Sequence, residues 1–162
     1  MNRLTLVLGA ASALLLSASM VSANTSSVNM AVSATVEGNC SIEVDALNFG
    51  SYDPLGGDVA ATSEIRVTCN DNLAYNVEIG DGNTGSAAAS RLMEHATNET
   101  DLEYNLYTDS GHTTVWDESA TASIGTGNGS AQAIPVYGLI PGGQTGVEAG
   151  AHNDVVAVTV RY

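Results

Sequence analysis

Short runs in which apolar and polar residues alternate recur along almost the whole chain, and this period of two constrains the fold more than any other feature. Such runs are typical of strands that bury one face. Stretches rich in glycine and asparagine separate them, as expected for turns. The predicted strands cover residues 41–49, 63–69, 74–79, 102–107, 113–116, 133–140 and 155–162. A helix is weakly indicated only at residues 87–96. Short strands at this spacing predict an all-β sandwich.

The N-terminus has the features of a secretory signal peptide. Arg3 gives a positive start, residues 4–16 are mostly apolar, and Val21 and Ala23 are small residues at the positions that signal peptidase reads. A transmembrane anchor is the alternative, but the apolar run is short for a bilayer and serines weaken it. We therefore expect residues 1–23 to be removed, leaving an exported chain with a single domain at residues 39–162.

The charge balance of the chain is strongly acidic. Eighteen Asp and Glu residues face four Lys and Arg residues, giving a formal net charge of −14. The chain contains no lysine, and its few arginines cannot form the basic patch that nucleic acid requires. We expect a solvated, self-repelling surface and no nucleic-acid partner.

Two cysteines, Cys40 and Cys69, occur in this chain, which we expect to be exported. Exported proteins use cysteine pairs as structural disulfides, whereas two cysteines alone cannot form a four-ligand zinc site. The sequence therefore predicts a bond between Cys40 and Cys69.

Residues with catalytic or metal-binding chemistry are scattered along the sequence. The three histidines are far apart, and Asp81-Gly82-Asn83 departs from the calcium loop of an EF-hand. His152-Asn153-Asp154 reads as a turn before the last strand. An acidic cluster reads as a solvated face; its members are Glu94, Glu99, Asp101 and Glu103. We expect neither an enzyme nor a cofactor or metal site.

A further alternating run begins the chain that remains after the leader. Its apolar members are Val28, Met30, Val32, Ala34 and Val36. A strand at an extreme N-terminus frays unless another strand holds it. The pattern alone leaves two alternatives open: an ordinary first strand of the domain's own sheet, or a strand that pairs with another molecule.

Several motifs, in this order, resemble the spore coat protein U domain family. They are LNFGSYDP at residues 47–54, VTC at 67–69, LEYNLYTD at 102–109, VYG at 136–138 and PGGQ at 141–144. That family includes subunits of archaic chaperone–usher pili and a spore-surface protein. The resemblance implies an immunoglobulin-like β-sandwich that lacks its final strand, and it spans essentially all of the chain after residue 23.

The resemblance also implies a mode of assembly. Residues 24–38 would be a donor-strand extension, with Val28, Met30, Val32, Ala34 and Val36 entering the sheet of a neighbouring subunit. A periplasmic chaperone would first contact the last strand, at Val156, Val158, Val160 and Tyr162. An outer-membrane usher would then join identical or related subunits head to tail into a surface pilus for adhesion or biofilm formation. A secreted spore-coat or matrix protein on the same fold is the alternative.

The predicted disulfide leads to a first test. Thiol counting on the denatured, unreduced protein should find no free thiol. Reduction should lower the free energy of unfolding by roughly 3 to 4 kcal/mol, because the bond closes a loop of about 30 residues in the unfolded chain. Two free thiols per chain, or unfolding that is insensitive to reductant, would contradict the assignment.

Overall fold

The computed structural model describes residues 22–83, 87–88, 90–97, 100–119 and 124–162. The predicted leader therefore lies almost wholly outside the described residues. Contacts divide the chain into two units, residues 1–35 and 36–162. In the first unit, residues 22–35 contain no helix or strand and are exposed. No helix in the described ranges is both apolar enough and long enough to span a membrane.

The second unit consists of β-strands, which confirms the predicted all-β class. The strands of its described part are β1 (Cys40–Val44), β2 (Val59–Cys69), β3 (Ala74–Ile79), β4 (Arg91–His95), β5 (Leu102–Tyr107), β6 (Ile124–Thr126), β7 (Gln132–Ile140), β8 (His152–Asn153) and β9 (Val158–Arg161).

The strands form two antiparallel sheets. The larger sheet has the order β1-β2-β7-β5-β4-β8, and the smaller has the order β6-β3-β9. Along β2 and β7, more buried residues alternate with less buried ones, as the sequence pattern predicts. Buried side chains of the two sheets and of the segments between strands meet in one core, whose largest fully buried members are Trp116, Arg91, Ile65, Ile79, Ile140, Val67 and Val77.

Three local predictions were wrong. The weak helix at residues 87–96 is replaced by strand β4, which pairs with β5 so that Arg91 lies opposite Tyr104. His152 and Asn153 form strand β8 against β4 rather than a turn. The run at residues 113–116 forms no strand and makes one isolated bridge, from Val115 to Tyr107. In the first two cases a strand that is distant in sequence overrides the local pattern.

Two predicted strands are shorter than their alternating patterns. β1 ends at Val44, although the pattern continues to Phe49, and β9 begins at Val158 rather than at residue 155. Leu47, Phe49 and Val156 nevertheless pack against the core. The chain leaves the ladder with β2 after Val44, although β2 itself continues to Val59.

The disulfide between Cys40 and Cys69 is present, as predicted. The two residues are cross-strand partners in the β1–β2 ladder. The Cys69 carbonyl also accepts a hydrogen bond from the Gly129 N–H at 3.1 Å. The disulfide therefore joins the start of β1 to the end of β2.

A buried arginine joins the two sheets. Arg91, on β4, is fully buried, and its guanidinium donates hydrogen bonds to the Ile79 and Gly80 carbonyls at the end of β3. It also donates to the Trp116 carbonyl at 2.6 Å and to Asn105 Oδ1 at 2.9 Å. Burial lowers the pKa of Arg91, and nearby Tyr104 and Asp81 oppose that shift. The planar fork of an arginine is the side chain that can reach so many acceptors at once.

Replacement of this arginine should be costly. Arg91→Lys keeps the positive charge but has fewer donors, so buried carbonyls lose their partners. We expect the free energy of unfolding to fall by about 3 kcal/mol or more in urea titrations. Arg161→Lys, at a largely exposed guanidinium that contacts Glu78, is the matched control and should change it by less than about 1 kcal/mol. Equal effects of the two substitutions would contradict the role given to Arg91.

Candidate functional site: an apolar groove beside the last strand

A groove of about 860 Å³ runs into the core of the second unit. Its floor consists of apolar core side chains from both sheets. These buried side chains include Ile65, Ile79, Leu106, Val136 and Ile140. A native core is normally packed with few voids larger than a water molecule. A space of this size, lined by core residues, is what a missing strand leaves.

Strand β9 forms one side of the groove. It pairs with β3 so that Val158 lies opposite Ile79 and Val160 opposite Val77. In the described part of the chain, no strand pairs with its other edge. Unpaired backbone groups on such an edge are a template for an incoming strand.

The predicted edge residues are arranged as their alternation requires. Val156, Val158 and Val160 are half-buried, whereas Ala157 and Thr159 between them are exposed. Val156 and Val158 line the groove. Tyr162, the last residue, is 59% exposed. The first three thus present one apolar face along the open edge.

Residues 45–52, which we call the strap, form the opposite side of the groove. Asp45 anchors its first end: its carboxylate accepts hydrogen bonds from Arg66 at 2.6 and 2.9 Å, and its N–H donates to the Glu64 carbonyl. The Arg66 guanidinium lowers the pKa of Asp45. Tyr52 anchors the other end, since its hydroxyl donates to the Pro141 carbonyl and accepts from the Gln144 N–H.

A hydrogen-bonded tyrosine lies at the inner end of the groove. The Tyr104 hydroxyl donates to Asp154 Oδ2 at 2.7 Å, and Asp154 Oδ1 accepts from the Asn83 N–H. Burial and the Asp154 carboxylate both raise the pKa of Tyr104 above its usual range. The phenol is therefore neutral, and it makes a polar contact with the Asp154 carboxylate at this place in the groove.

The predicted donor residues lie in the N-terminal segment, where they form no strand. Their exposed fractions are 93% for Val28, 83% for Met30, 83% for Val32 and 86% for Val36, and Ala34 is also exposed. Scattered exposed apolar residues are ordinary, whereas these five recur at every second position.

In the described ranges, no three His, Cys, Asp or Glu side chains are grouped to hold a metal. Glu94, Asp101 and Glu103 of the acidic cluster are exposed, and Glu99 lies outside the described residues. His95 and His152 meet edge to face across β4 and β8, with ring centroids 4.8 Å apart.

Sequence reasoning missed two residues that shape the groove. Gly138, on the inward face of β7, lies under the strap, and a Cβ there would be 2.7 Å from Phe49 Cζ. Tyr52 fixes the strap, although it appeared only as part of a turn-rich motif. A glycine at an inward position of a strand is the one sequence signal that indicates a close approach there.

The family model of the spore coat protein U domain matches residues 26–159, which is most of the chain. The chain belongs to the spore coat protein U domain family. Protein U of Myxococcus xanthus is 34% identical to this spore coat protein U domain chain over 168 aligned residues, which cover 94% of it and 93% of Protein U. The match confirms the resemblance noted in the sequence.

In fold, the domain is similar to a chain in a solved structure from Acinetobacter baumannii. That structure is the CsuC–CsuE chaperone–tip adhesion subunit pre-assembly complex from archaic chaperone–usher Csu pili. The TM-score is 0.56 at 21% identity, and the match covers 79% of this chain and 40% of that chain. The likeness confirms the predicted immunoglobulin-like β-sandwich.

The groove can be tested with a matched pair on β9. Val158→Asn places an amide in the apolar wall, and desolvating it costs about 1 to 3 kcal/mol. We expect binding of an apolar fluorescent dye to weaken roughly tenfold, since each 1.4 kcal/mol is a factor of ten. Thr159→Asn, on the exposed face of the same strand, should leave binding unchanged. Equal dye binding by the unchanged chain and both variants would show that the groove is closed in solution.

Proposed function

We propose that this protein is a structural subunit of a surface pilus, assembled by the chaperone–usher pathway through donor-strand exchange. The observation that carries the proposal is the open groove beside the edge of β9 with which no described strand pairs, in a chain that also carries an exposed alternating segment at residues 28–36. The residues present support a binding role and not catalysis.

The groove and the segment are chemically matched. The groove is lined by apolar side chains, and the segment has an apolar residue at every second position. Nine residues in a strand extend about 30 Å and place five side chains on one face. Insertion of such a segment into a sheet is β-augmentation, in which backbone hydrogen bonds supply affinity and alternate side chains fill pockets.

The energy of such a junction is large. Four medium or large side chains contribute roughly 1 to 3 kcal/mol each when buried. About eight backbone hydrogen bonds add about 1 kcal/mol each. The gross stabilisation is on the order of 10 to 20 kcal/mol before ordering costs, enough to make the junction nearly irreversible. Because donor and groove lie in different parts of the subunit, the contact is head-to-tail and propagates as an open fibre.

The unfilled groove requires protection before assembly. An open edge next to an apolar groove is an aggregation hazard. We propose that a periplasmic chaperone covers the face formed by Val156, Val158, Val160 and Tyr162, and that an outer-membrane usher replaces it with the donor segment of the next subunit. The structural likeness to a chaperone–subunit complex supports the chaperone as a partner.

A secreted spore-coat or matrix protein is the second candidate, favoured by the family description and by the 34% identity to Protein U. Both candidates use the same fold and the same export. Electron microscopy of cells with and without this chain separates them, because the pilus proposal requires thin fibres that disappear with the chain. Adhesion and biofilm formation follow only from the pilus.

The donor segment gives the decisive test. Met30→Asp or Val32→Asp would place an unpaired charge in a neighbour's apolar groove, at a cost of several kcal/mol. The subunit should still fold and bind its chaperone, while surface fibres are lost. Coexpression with the chaperone, with soluble complex and surface fibre measured separately, checks both outcomes.

Asn29→Asp and Ser33→Asp are the matched controls, because they add the same charge on the other face of the segment. Fibres should persist in both. If residues 28–36 were instead an ordinary first strand, Met30→Asp would unfold the subunit, and chaperone complex and fibre would be lost together.

A further inference from the structure

The strap, which forms one side of the groove, also covers part of its floor at Gly138. Its side chains Leu47 and Phe49 enter the notch above Gly138, where a Cβ would lie 3.0 Å from Leu47 Cδ1 and 2.7 Å from Phe49 Cζ. The inward neighbours of Gly138 on β7 are Val136 and Ile140, both buried. The notch is therefore the one place on this face of β7 where the strand itself supplies no side chain.

The strap is held at its ends and loosely held between them. Asp45 and Tyr52 each make at least two hydrogen bonds to other parts of the domain. Within the described part of the chain, residues 46–51 have one hydrogen bond, from the Gly50 N–H to Asn48 Oδ1 at 2.8 Å. The middle of the strap is held against the core by the apolar contacts of Leu47 and Phe49. These include an edge-to-face contact of Phe49 with Tyr104.

We propose that the strap is an intramolecular plug that competes with the incoming donor strand for the groove. This inference rests on the proposed function. Leu47 and Phe49 cover the notch over Gly138 while the groove is empty and leave it when a donor segment enters. The two anchors limit the movement to residues 46–51, so the plug can lift without unfolding β1 or β7.

The plug would stabilise the groove of the subunit before a donor segment enters. A bare groove loses the packing that its floor residues need, and two half-buried side chains restore part of it. Because the strap contributes no ladder hydrogen bonds, a donor that supplies both side chains and backbone bonds displaces it at a net gain. The plug therefore slows capture of unsuitable segments without preventing the correct one.

Binding kinetics test the competition directly. The chain carrying Met30→Asp cannot donate to its own copies and serves as the receptor, and a fluorescent peptide with the sequence of residues 24–38 serves as the probe. In this background, Phe49→Ala should increase the association rate constant of the peptide at least several-fold. Leu55→Ala, at an exposed turn residue next to the strap, is the control and should not change it. An unchanged or lower rate with Phe49→Ala overturns the proposal.

A second measurement remains valid if Phe49→Ala fails to fold. The Leu47→Cys thiol, in the same Met30→Asp background with the native disulfide intact, reports whether the strap lifts. Maleimide labelling should become faster when the peptide is bound, since the thiol leaves the notch. Slower or unchanged labelling means that the strap is a fixed wall and refutes the plug. Failure of the peptide to bind the Met30→Asp chain at all would instead count against donor-strand exchange itself.

Discussion

Backbone N–H and C=O groups along the open edge of β9 border a groove into the core, and the rest of the architecture is arranged around that edge. In the described part of the chain, β9 pairs with β3 alone; its inward valines pack against the core, and Val158 also lines the groove. Backbone groups and core side chains both require partners. A sandwich with such an open edge needs other interactions to hold its two sheets together, in place of the contacts that a further strand would supply.

Two such interactions fix the two ends of β3, the central strand of the smaller sheet. At its end, the Arg91 guanidinium binds the Ile79 and Gly80 carbonyls and ties them to β4. At its start, the Leu73 carbonyl accepts from the Gly127 N–H after β6, and the Gly129 N–H donates to the Cys69 carbonyl at the end of β2. The smaller sheet is thus bound to the larger one without help from the open edge, which leaves that edge available for a partner.

The acidic surface belongs to the same arrangement. An exposed edge invites pairing with any other edge, and charge is a general defence against such contacts. A net charge of −14 makes copies of the chain repel one another. The proposed donor segment is the exception, because residues 25–36 carry no charged side chain. An acidic neighbouring subunit repels this uncharged segment less than it repels the charged surface of the domain.

The sequence by itself determined the features that depend on local pattern and on chemistry near in sequence. These are the strands β2, β3, β5 and β7 with their inward residues, the apolar face of the last strand, and the pairing of the only two cysteines.

Only the tertiary structure decided the features that depend on distant partners. Arginine side chains are usually exposed, but Arg91 lies in the core because carbonyls from β3 and Trp116 accept its hydrogen bonds. Residues 91–95 become a strand because β5 lies alongside. Leu47 and Phe49 look like the end of a strand, yet they leave the edge of β2, which continues to Val59, and pack over Gly138 instead. Alternation reports which face of a segment is apolar, but what covers that face is a property of the assembled fold.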